Sequence, residues 1–246
     1  NQRGRDFAIM LAAFNQLGYS VEWRVINAAD YGRAQRRRRV FFFVFRNDTK
    51  WGKRLHTKYE ATLANDADLN ARLECYAPYI FEDGLFGRQF PVKGEAVKKR
   101  INANKLDEDI AEVSANFSDG KMWNSGLMTN GYYYTIETEP KGDEEPIPMK
   151  KIVVKENQVP EDYYVDGEKL EKFKYLRGPK KITRTAANGH TYTFSEGGMS
   201  EYDSLELPGR TMLTSEGSVN RSTHLLKIDG KYRLITPIEP ERLQDF

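Results

Sequence analysis

Six consecutive apolar residues at positions 40–45 constrain the fold of this chain more than any other segment. Such a run predicts a β-strand that is buried on both faces. Upstream, apolar residues recur at steps of three and four over residues 5–17, which predicts an amphipathic helix that stops at Gly18. Residues 21–27 alternate between apolar and polar and predict a half-buried strand. The pattern of helix, strand, loop and strand indicates a piece of an α/β sheet that is too small to fold alone.

The rest of the chain predicts a mixed fold, α/β with α+β character. Long polar segments with isolated predicted elements follow Asn47 and Asp48, which predicts a domain boundary near residue 50. Helices are predicted at residues 66–77, 95–103, 168–176 and 237–244. Hairpins are predicted around residues 130–131, 186–189 and 230, where Asn and Gly accommodate tight turns.

Composition narrows the class of protein. Of the 246 residues, 39% are hydrophobic and 30% are charged, which is typical of a folded globular protein. Neither a signal peptide nor a membrane span is predicted, so the expected location is the cytoplasm, with no membrane partner. The single cysteine, Cys75, and three scattered histidines predict neither an intrachain disulfide nor a metal site.

Five arginines lie within seven positions although the net charge is only +2: Arg33, Arg36, Arg37, Arg38 and Arg39. In an extended segment, Gln35, Arg37 and Arg39 would point to one side, and Arg36 and Arg38 to the other. Grouped guanidiniums repel one another unless they meet anions or acceptors, such as DNA phosphates or the edge of a flipped base. A solvated basic patch or an import signal is an equally good interpretation of the cluster alone.

Two ordered sequence blocks resemble those of the DNA cytosine-5 methyltransferases. Residues 27–39 are similar to the family's Asn-Ala-x-Asp-Tyr-Gly-x-Pro-Gln-x-Arg-x-Arg block, with Ala34 in place of the proline. Residues 233–246 are similar to its Arg-x-Leu-Thr-Pro-x-Glu-x-x-Arg-Leu-Gln-Gly-Phe block, with Asp245 in place of the glycine. Between them, residues 210–217 and 220–224 resemble the end of the variable target-recognition region.

The resemblance implies a domain arrangement. Residues 1–50 would be the end of a methyltransferase-type α/β catalytic sheet, and residues 51–230 an irregular, strand-containing target-recognition domain. Residues 231–246 would then return toward the catalytic domain. The implied partner is double-stranded DNA, and the implied cofactor of the complete enzyme is S-adenosylmethionine.

The resemblance also implies a chemistry and assigns residues to it. Family enzymes attack C6 of a flipped cytosine with a cysteine thiolate, which makes C5 nucleophilic toward the methyl donor. Arg39 would contact the cytosine O2, Arg37 would position the base, and Gln35 would order the loop that carries the nucleophile. For Arg37, a purely structural ion pair is the alternative.

The nucleophile is not expected among these residues. The family's cysteine stands in a Pro-Cys-Gln context, whereas Cys75 follows Leu73-Glu74, so Cys75 is interpreted as a small buried core residue. A glycine-rich cofactor loop and a Glu-Asn-Val block are also missing from the sequence. The chain is therefore expected to be an inactive fragment that binds no cofactor by itself.

DNA contacts are expected from loops of the target-recognition region, where arginine would meet guanine and serine or lysine would hold phosphates. For Lys180 and Lys181, a solvated loop is an equal alternative. Tyrosines 132–134 and 163–164 and Trp123 are interpreted as core residues. The expected DNA-binding residues are Lys180, Lys181, Arg184, Ser195, Glu196, Met199, Arg210, Thr211, Thr214, Ser215 and Arg221.

Three functions remain open at this point. The first is an enzyme part that works with a catalytic half, in cis or in trans, with a cognate endonuclease of a restriction–modification system as a further partner. The second is a non-catalytic DNA-binding subunit of a split or degenerate methyltransferase. The third is an RNA cytosine methyltransferase, which the large spacer between the two blocks disfavours by analogy. An in-frame Pro-Cys-Gln block upstream would favour the first function over the second.

Overall fold

The computed structural model describes residues 4–64, 66–96, 100–117 and 121–246. The predicted mixed fold is confirmed, because helices accompany sheets of antiparallel strands. The helices are α1 Arg5–Gln16, α2 Lys50–Lys58, α3 Leu69–Pro78, α4 Leu85–Gln89, α5 Ile110–Asn116, α6 Gly167–Arg177 and α7 Ile238–Leu243. The strands are β1 Tyr19–Asn27, β2 Arg38–Arg46, β3 Ile101–Lys105, β4 Ser125–Thr129, β5 Tyr132–Ile136, β6 Lys180–Thr185, β7 Thr191–Glu196, β8 Leu225–Ile228 and β9 Lys231–Leu234.

The chain divides into two compact units, and one segment of unit 2 lies in the sequence between the two segments of unit 1. Unit 1 comprises Asn1–Ile26 and Arg38–Asp143, and unit 2 comprises Asn27–Arg37 and Glu144–Phe246. The arginine-rich segment is therefore split between them, after Arg37. These bounds differ from the division at residues 50 and 230, and the functional domains expected there stay a prediction.

Unit 1 is built on a five-stranded sheet in the order β2-β1-β4-β5-β3. The β4–β5 hairpin turns at residues 130–131, as predicted, with Thr129 opposite Tyr132. Helix α1 packs its buried Ala8 and Leu11 with Val21, Trp23 and Tyr133 of the sheet. In a second apolar cluster of unit 1, Tyr76 stacks on Tyr134 with ring centroids 4.8 Å apart. Tyr133 and Tyr134 are fully buried, which agrees with their interpretation as core residues.

The prediction of a half-buried β1 is wrong because β1 lies inside the sheet, between β2 and β4. Its polar residues Ser20, Glu22 and Arg24 are as buried as its apolar ones. Glu22 accepts hydrogen bonds from the Leu85 and Phe86 backbone N–H groups, both at 2.9 Å, at the start of α4. Arg24 donates to the carbonyl groups of Phe86 and Phe90 at 3.1 and 2.8 Å. Burial raises the pKa of Glu22 above its ordinary value of 4.5, although the hydrogen bonds from the Phe86 and Leu85 N–H groups oppose this shift.

The prediction that β2 is buried on both faces is also wrong, because β2 forms an edge of the sheet. Val40 and Phe41 are 45% and 47% exposed, and within residues 40–45 only Phe45 is fully buried. Phe43 packs edge-on against Trp51 of α2, with ring centroids 5.2 Å apart. Apolar composition alone does not distinguish a central strand from an edge strand whose far end is covered by a helix.

Most other predicted elements are confirmed. The helix expected at residues 66–77 is α3, those at 168–176 and 237–244 are α6 and α7, and both later hairpins are present as β6–β7 and β8–β9. The prediction of a helix over residues 95–103 is wrong for residues 101–103, which lie in β3 and pair with β5. Residues 97–99 lie outside the described residues. Long-range pairing with β5 overrides the local helical pattern there.

The core of unit 2 joins segments that are far apart in sequence. Ala34, Met149, Ile152, Leu226, Ile235 and Leu243 form its larger apolar cluster. Phe173 of α6 packs with Val165, Leu225 and Leu234 in a second cluster. Among the described residues, no helix is both long and apolar enough to cross a membrane.

Candidate nucleic-acid interface

The segment Asn27–Arg37 is a closed loop in unit 2. It begins with a short 3-10 helix, Ala28–Tyr31, and the Asn27 side-chain amide donates to Asp30 at 2.9 Å. The Ala28 N–H donates to the Arg37 carbonyl at 3.1 Å, which closes the loop at its base. The hydrogen bond between the Asn27 and Asp30 side chains and the backbone closure together fix the loop without a proline at position 34.

This arginine loop is seated on the segment around Gly209. The Gly209 N–H donates to the Ala34 carbonyl, and the Arg36 N–H donates to the Gly209 carbonyl, both at 2.7 Å. The Thr211 hydroxyl donates to the Arg36 carbonyl at 2.7 Å. The structure therefore brings the first recognised sequence block against Thr211, one of the residues expected to bind DNA.

Gln35 lies inside this seat and is only 3% exposed. Its side-chain N–H donates to the Leu243 carbonyl at 3.3 Å, and its side-chain oxygen accepts from the Met212 N–H at 3.3 Å. Both ends of the amide are thus satisfied inside unit 2. A side chain held in this way positions backbone segments and does not face a substrate.

Arg36, Arg37, Arg38 and Arg39 are all exposed. Arg37 forms a tight turn, because its N–H donates to the Gln35 carbonyl at 2.9 Å. The turn ends the simple alternation expected from an extended strand, so Gln35 is buried while Arg37 and Arg39 reach solvent. Within the described ranges, none of the four guanidiniums has a carboxylate within 4.0 Å. The ion-pair alternative for Arg37 therefore finds no partner among those residues.

Three of the expected DNA-binding residues meet at the root of the β6–β7 hairpin instead of facing outward. The Lys180 ammonium lies 3.1 Å from the Glu196 carboxylate and donates to the Leu176 carbonyl at 2.7 Å. Arg221 lies 2.9 Å from Glu196 and donates to the same carbonyl at 3.0 Å. The hydrogen bond from Lys180, with the charge of Arg221, lowers the pKa of Glu196. These side chains hold the hairpin against the end of α6.

Arg210, expected to read a base, is held by a buried carboxylate. Its guanidinium bonds to Asp203 and donates to the Thr223 carbonyl at 3.1 Å. Arg177, fully buried, contacts the same carboxylate at 2.9 Å. Burial raises the pKa of Asp203, but the hydrogen bonds and charges of the two arginines outweigh it and hold that pKa well below its usual range.

The remaining expected contacts are more open. Lys181, Arg184, Ser195, Thr214 and Ser215 are exposed, and Met199 is half-buried. The guanidinium carbon of Arg184 lies 4.0 Å from the Phe194 ring centroid, across the hairpin. Of the residues proposed from the sequence, these leave the most surface for a nucleic acid.

The second recognised block also has a structural explanation. Arg233 is fully buried and contacts both oxygens of Glu239, at 3.0 and 2.8 Å. Glu239 also accepts from the Thr236 and Val154 N–H groups at 2.6 and 2.9 Å. Although burial opposes it, the charge of Glu239 raises the pKa of Arg233. The Arg-x-x-Thr-x-x-Glu spacing thus builds an internal ion pair that fixes α7 beside β9.

Cys75 has the environment of a packed thiol. It is half-buried, not fully buried as expected, and lies against the aromatic core of unit 1. Its thiol donates to the Tyr59 carbonyl at 3.1 Å. Among the residues that the structure describes, no cluster of His, Cys, Asp or Glu could hold a metal ion.

Sequence reasoning missed the carboxylate that engages Arg210. Asp203 was not singled out, because its pairing with Arg210 and with Arg177, 26 residues earlier, forms only through the fold of unit 2. The exposed threonines of β6 and β7 were also missed. Their alternation on both strands, Thr183 and Thr185 facing Thr191 and Thr193, was visible in the sequence as soon as the hairpin was predicted.

Comparison with known proteins adds three findings. A family model described as C-5 cytosine-specific DNA methylase matches residues 1–246. The chain is 51% identical over 246 residues to the type II methyltransferase M.Sau3AI of Staphylococcus aureus, a match that covers 100% of this chain and 55% of that protein. The chain thus spans about half the length of the curated relative it matches. No solved structure matches it.

Proposed function

This chain belongs to the C-5 cytosine-specific DNA methylase family, and we propose that it is the target-recognition part of a DNA (cytosine-5) methyltransferase. The complete protein would transfer a methyl group to C5 of a flipped cytosine within a specific duplex sequence. The chain would choose that sequence and supply arginines that hold the flipped base.

The observation that carries the proposal is the arginine loop. It is closed by backbone hydrogen bonds and seated on Gly209, yet the guanidiniums of its Arg36 and Arg37 are exposed and meet no carboxylate among the described residues. Planar guanidinium donors in a fixed loop suit a phosphate or the carbonyl edge of a base. A merely solvated basic patch would not require so ordered a support.

We assign different tasks to Gln35 and Arg37 of this loop and to Arg39 at the start of β2. Arg39 would contact the cytosine O2, and Arg37 would position the base. Gln35 would be a positioning residue, because its buried amide links Leu243 to Met212 and so fixes the segment on which the loop rests. Its influence on the nucleophile's loop would then be indirect.

S-adenosylmethionine is the proposed methyl donor of the complete protein, and it would supply the methyl group when bound. The residues that the structure describes do not fit that cofactor. β1 leads into the 3-10 helix Ala28–Tyr31 and not into a glycine-rich turn, and Cys75 is bonded into the core of unit 1. We therefore derive no step through the cofactor, and we propose that the nucleophile and the donor site are supplied by residues outside these 246.

The relative is a type II methyltransferase by name, which supports a restriction–modification setting with a cognate endonuclease. The alternative is a non-catalytic DNA-binding subunit of a split methyltransferase. The basic loop and the exposed hairpin would serve either function, since both require binding to duplex DNA.

Mass spectrometry of digested nucleosides tests the proposal. The complete protein that contains these residues is incubated with labelled S-adenosylmethionine and either duplex DNA or transfer RNA. We expect labelled 5-methylcytosine in the DNA alone. Salt-sensitive DNA binding without any labelled nucleoside would support the non-catalytic alternative, whereas label in the RNA alone would refute both.

A further inference from the structure

The β6–β7 hairpin is a projecting ribbon. Along residues 181–185 and 191–193 every side chain is exposed, so the ribbon buries neither face there. Within the described ranges, neither strand packs extensively against another helix or strand. A two-stranded sheet in a folded protein normally covers one face, because an isolated hairpin is only marginally stable. An exposed ribbon that is nevertheless ordered suggests a binding surface.

The strand register sorts the ribbon into two chemically distinct faces. Opposed residues of an antiparallel pair lie on the same face. One face therefore consists entirely of hydroxyl residues and one lysine, and we call it the hydroxyl face: Lys181, Thr183, Thr185, Thr191, Thr193 and Ser195. The opposite face carries Lys180, Ile182, Arg184, Tyr192, Phe194 and Glu196.

The opposite face holds the ribbon together. Arg184 lies over the Phe194 ring at 4.0 Å, and Lys180 is paired with Glu196 at 3.1 Å. The five hydroxyls of the hydroxyl face, by contrast, make no hydrogen bond to any described residue. Each can both donate and accept. The hydroxyl face is thus an exposed row of free hydrogen-bonding groups with a single positive charge at one end.

Hydrogen bonds within the chain hold both ends of the ribbon in place. At the root, Lys180 and Arg221 both donate to the Leu176 carbonyl at the end of α6. At the tip, the Ala186 N–H donates to the His190 carbonyl at 2.8 Å, and Gly189 adopts a φ of 80° that closes the turn. A preformed surface loses less conformational entropy on binding than a mobile loop does.

We propose that this ribbon enters the major groove of duplex DNA with its hydroxyl face toward the base edges. The inference rests on the proposed function, because it takes the ligand to be DNA. A major groove about 12 Å wide admits a two-stranded ribbon, and threonine and serine hydroxyls bond to base donors and acceptors alike. Threonine methyl groups additionally contact the methyl group of thymine. Lys181, at the root end of the hydroxyl face, and Arg184, on the opposite face, would then meet phosphates.

The test is the double variant Thr183→Val/Thr193→Val in the complete protein. Valine keeps the shape and the β-branching of threonine but loses the hydroxyl group. We expect kcat/KM for methylation of the preferred duplex to fall about 10- to 100-fold, with affinity for unrelated duplexes unchanged. Tyr192→Phe, which removes a hydroxyl from the opposite face of the same ribbon, is the matched control and is expected to leave both quantities unchanged.

Two results would overturn the proposal. One is a double variant with the rate and site preference of the wild type. The other is an equal loss of affinity for every duplex, which would indicate phosphate contacts. If the double variant alters thermal unfolding, each single valine variant replaces it and should show a smaller loss in the same direction. A wild-type protein that methylates no cytosine in DNA would instead refute the proposed function.

Discussion

The arginines of this chain differ in whether a carboxylate neutralises their charge. Arg177, Arg210 and Arg233 are bonded to carboxylates within unit 2, and Arg233 is fully buried. Arg37 and Arg39 are exposed and meet no carboxylate among the described residues. The first group stabilises the fold, whereas the second is available to a ligand. The sequence alone does not separate the two groups, because neither Asp203 nor Glu239 stands at a helical spacing from its arginines, and the pairs form only through the fold of unit 2.

Arg39→Ala in the complete protein tests the role proposed for the second group. We expect methyl transfer to fall about 100-fold or more, because a lost donor at the reacting base weakens transition-state binding. Affinity for duplex DNA should change only a few-fold, since most of it comes from many phosphate contacts. The neighbouring exposed Arg38→Ala is the control. Equal losses of turnover and affinity in Arg39→Ala would contradict the assigned role.

Asp203→Asn tests the buried ion cluster. The change leaves Arg177, whose side chain is 1% exposed, without its carboxylate, and should destabilise the protein by about 3–5 kcal/mol. Because folding lowers the pKa of Asp203, the carboxylate contributes stability above its ordinary value of 3.8 and loses it as the pH falls through the lowered value. Denaturant unfolding across that acidic range should show the loss in the wild type but not in the variant.

Asp48→Asn is the matched control for that experiment. Asp48 pairs with Arg46, and both side chains are about 60% exposed. A solvent-exposed ion pair contributes roughly 0–1 kcal/mol. If the two variants were equally stable, Asp203 would not hold the cluster together.

Elements were predictable from the sequence where a local signal decided them. The helix α1 has a strong 3.6-residue period, and the hairpin turns at Asn130-Gly131 and Gly230 carry residues suited to positive φ. Burial was not predictable for β1 and β2, because it depends on which strand is central. β1 hides Glu22 and Arg24 beneath residues 80–90, while β2 exposes Val40 and Phe41 at an edge.

Gly126 of β4 leaves room for the indole ring of Trp23 on the neighbouring strand β1. It pairs with Trp23, and a Cβ atom added there would lie 2.1 Å from the indole ring and 2.5 Å from the Tyr134 carbonyl oxygen. We expect Gly126→Ala to destabilise the protein by about 1–3 kcal/mol through overpacking. Gly94→Ala, where the added atom meets nothing within 4 Å, is the control. Equal thermal midpoints for the two variants would contradict this packing.

At the scale of the whole molecule, the sequence blocks predicted family membership, which is confirmed, but not the compact units. The segment Asn27–Arg37 belongs to unit 2 although it connects two strands of the unit 1 sheet. Its seat at Gly209 is more than 170 residues away in the chain, and no local pattern reports such a contact. The recognised blocks at residues 27–39 and 233–246 meet in unit 2, where the Gln35 side chain donates to the Leu243 carbonyl.

The net charge of +2 does not indicate DNA binding by itself. What supports it is the distribution of charge, with the exposed guanidiniums of Arg36 to Arg39 in one place and Lys181 and Arg184 on the ribbon. In the proposed function these two places would have separate tasks, namely holding the flipped base and choosing the sequence around it.

Bisulfite sequencing of a random-sequence DNA library, treated with the complete protein, tests that separation most directly. Wild-type protein should methylate cytosines within one short sequence. Arg39→Ala should lower the yield without altering that sequence, whereas Thr183→Val/Thr193→Val should relax it or weaken its preference. The account would be contradicted if Arg39→Ala changed the sequence, or if Thr183→Val/Thr193→Val left both sequence and yield as in the wild type.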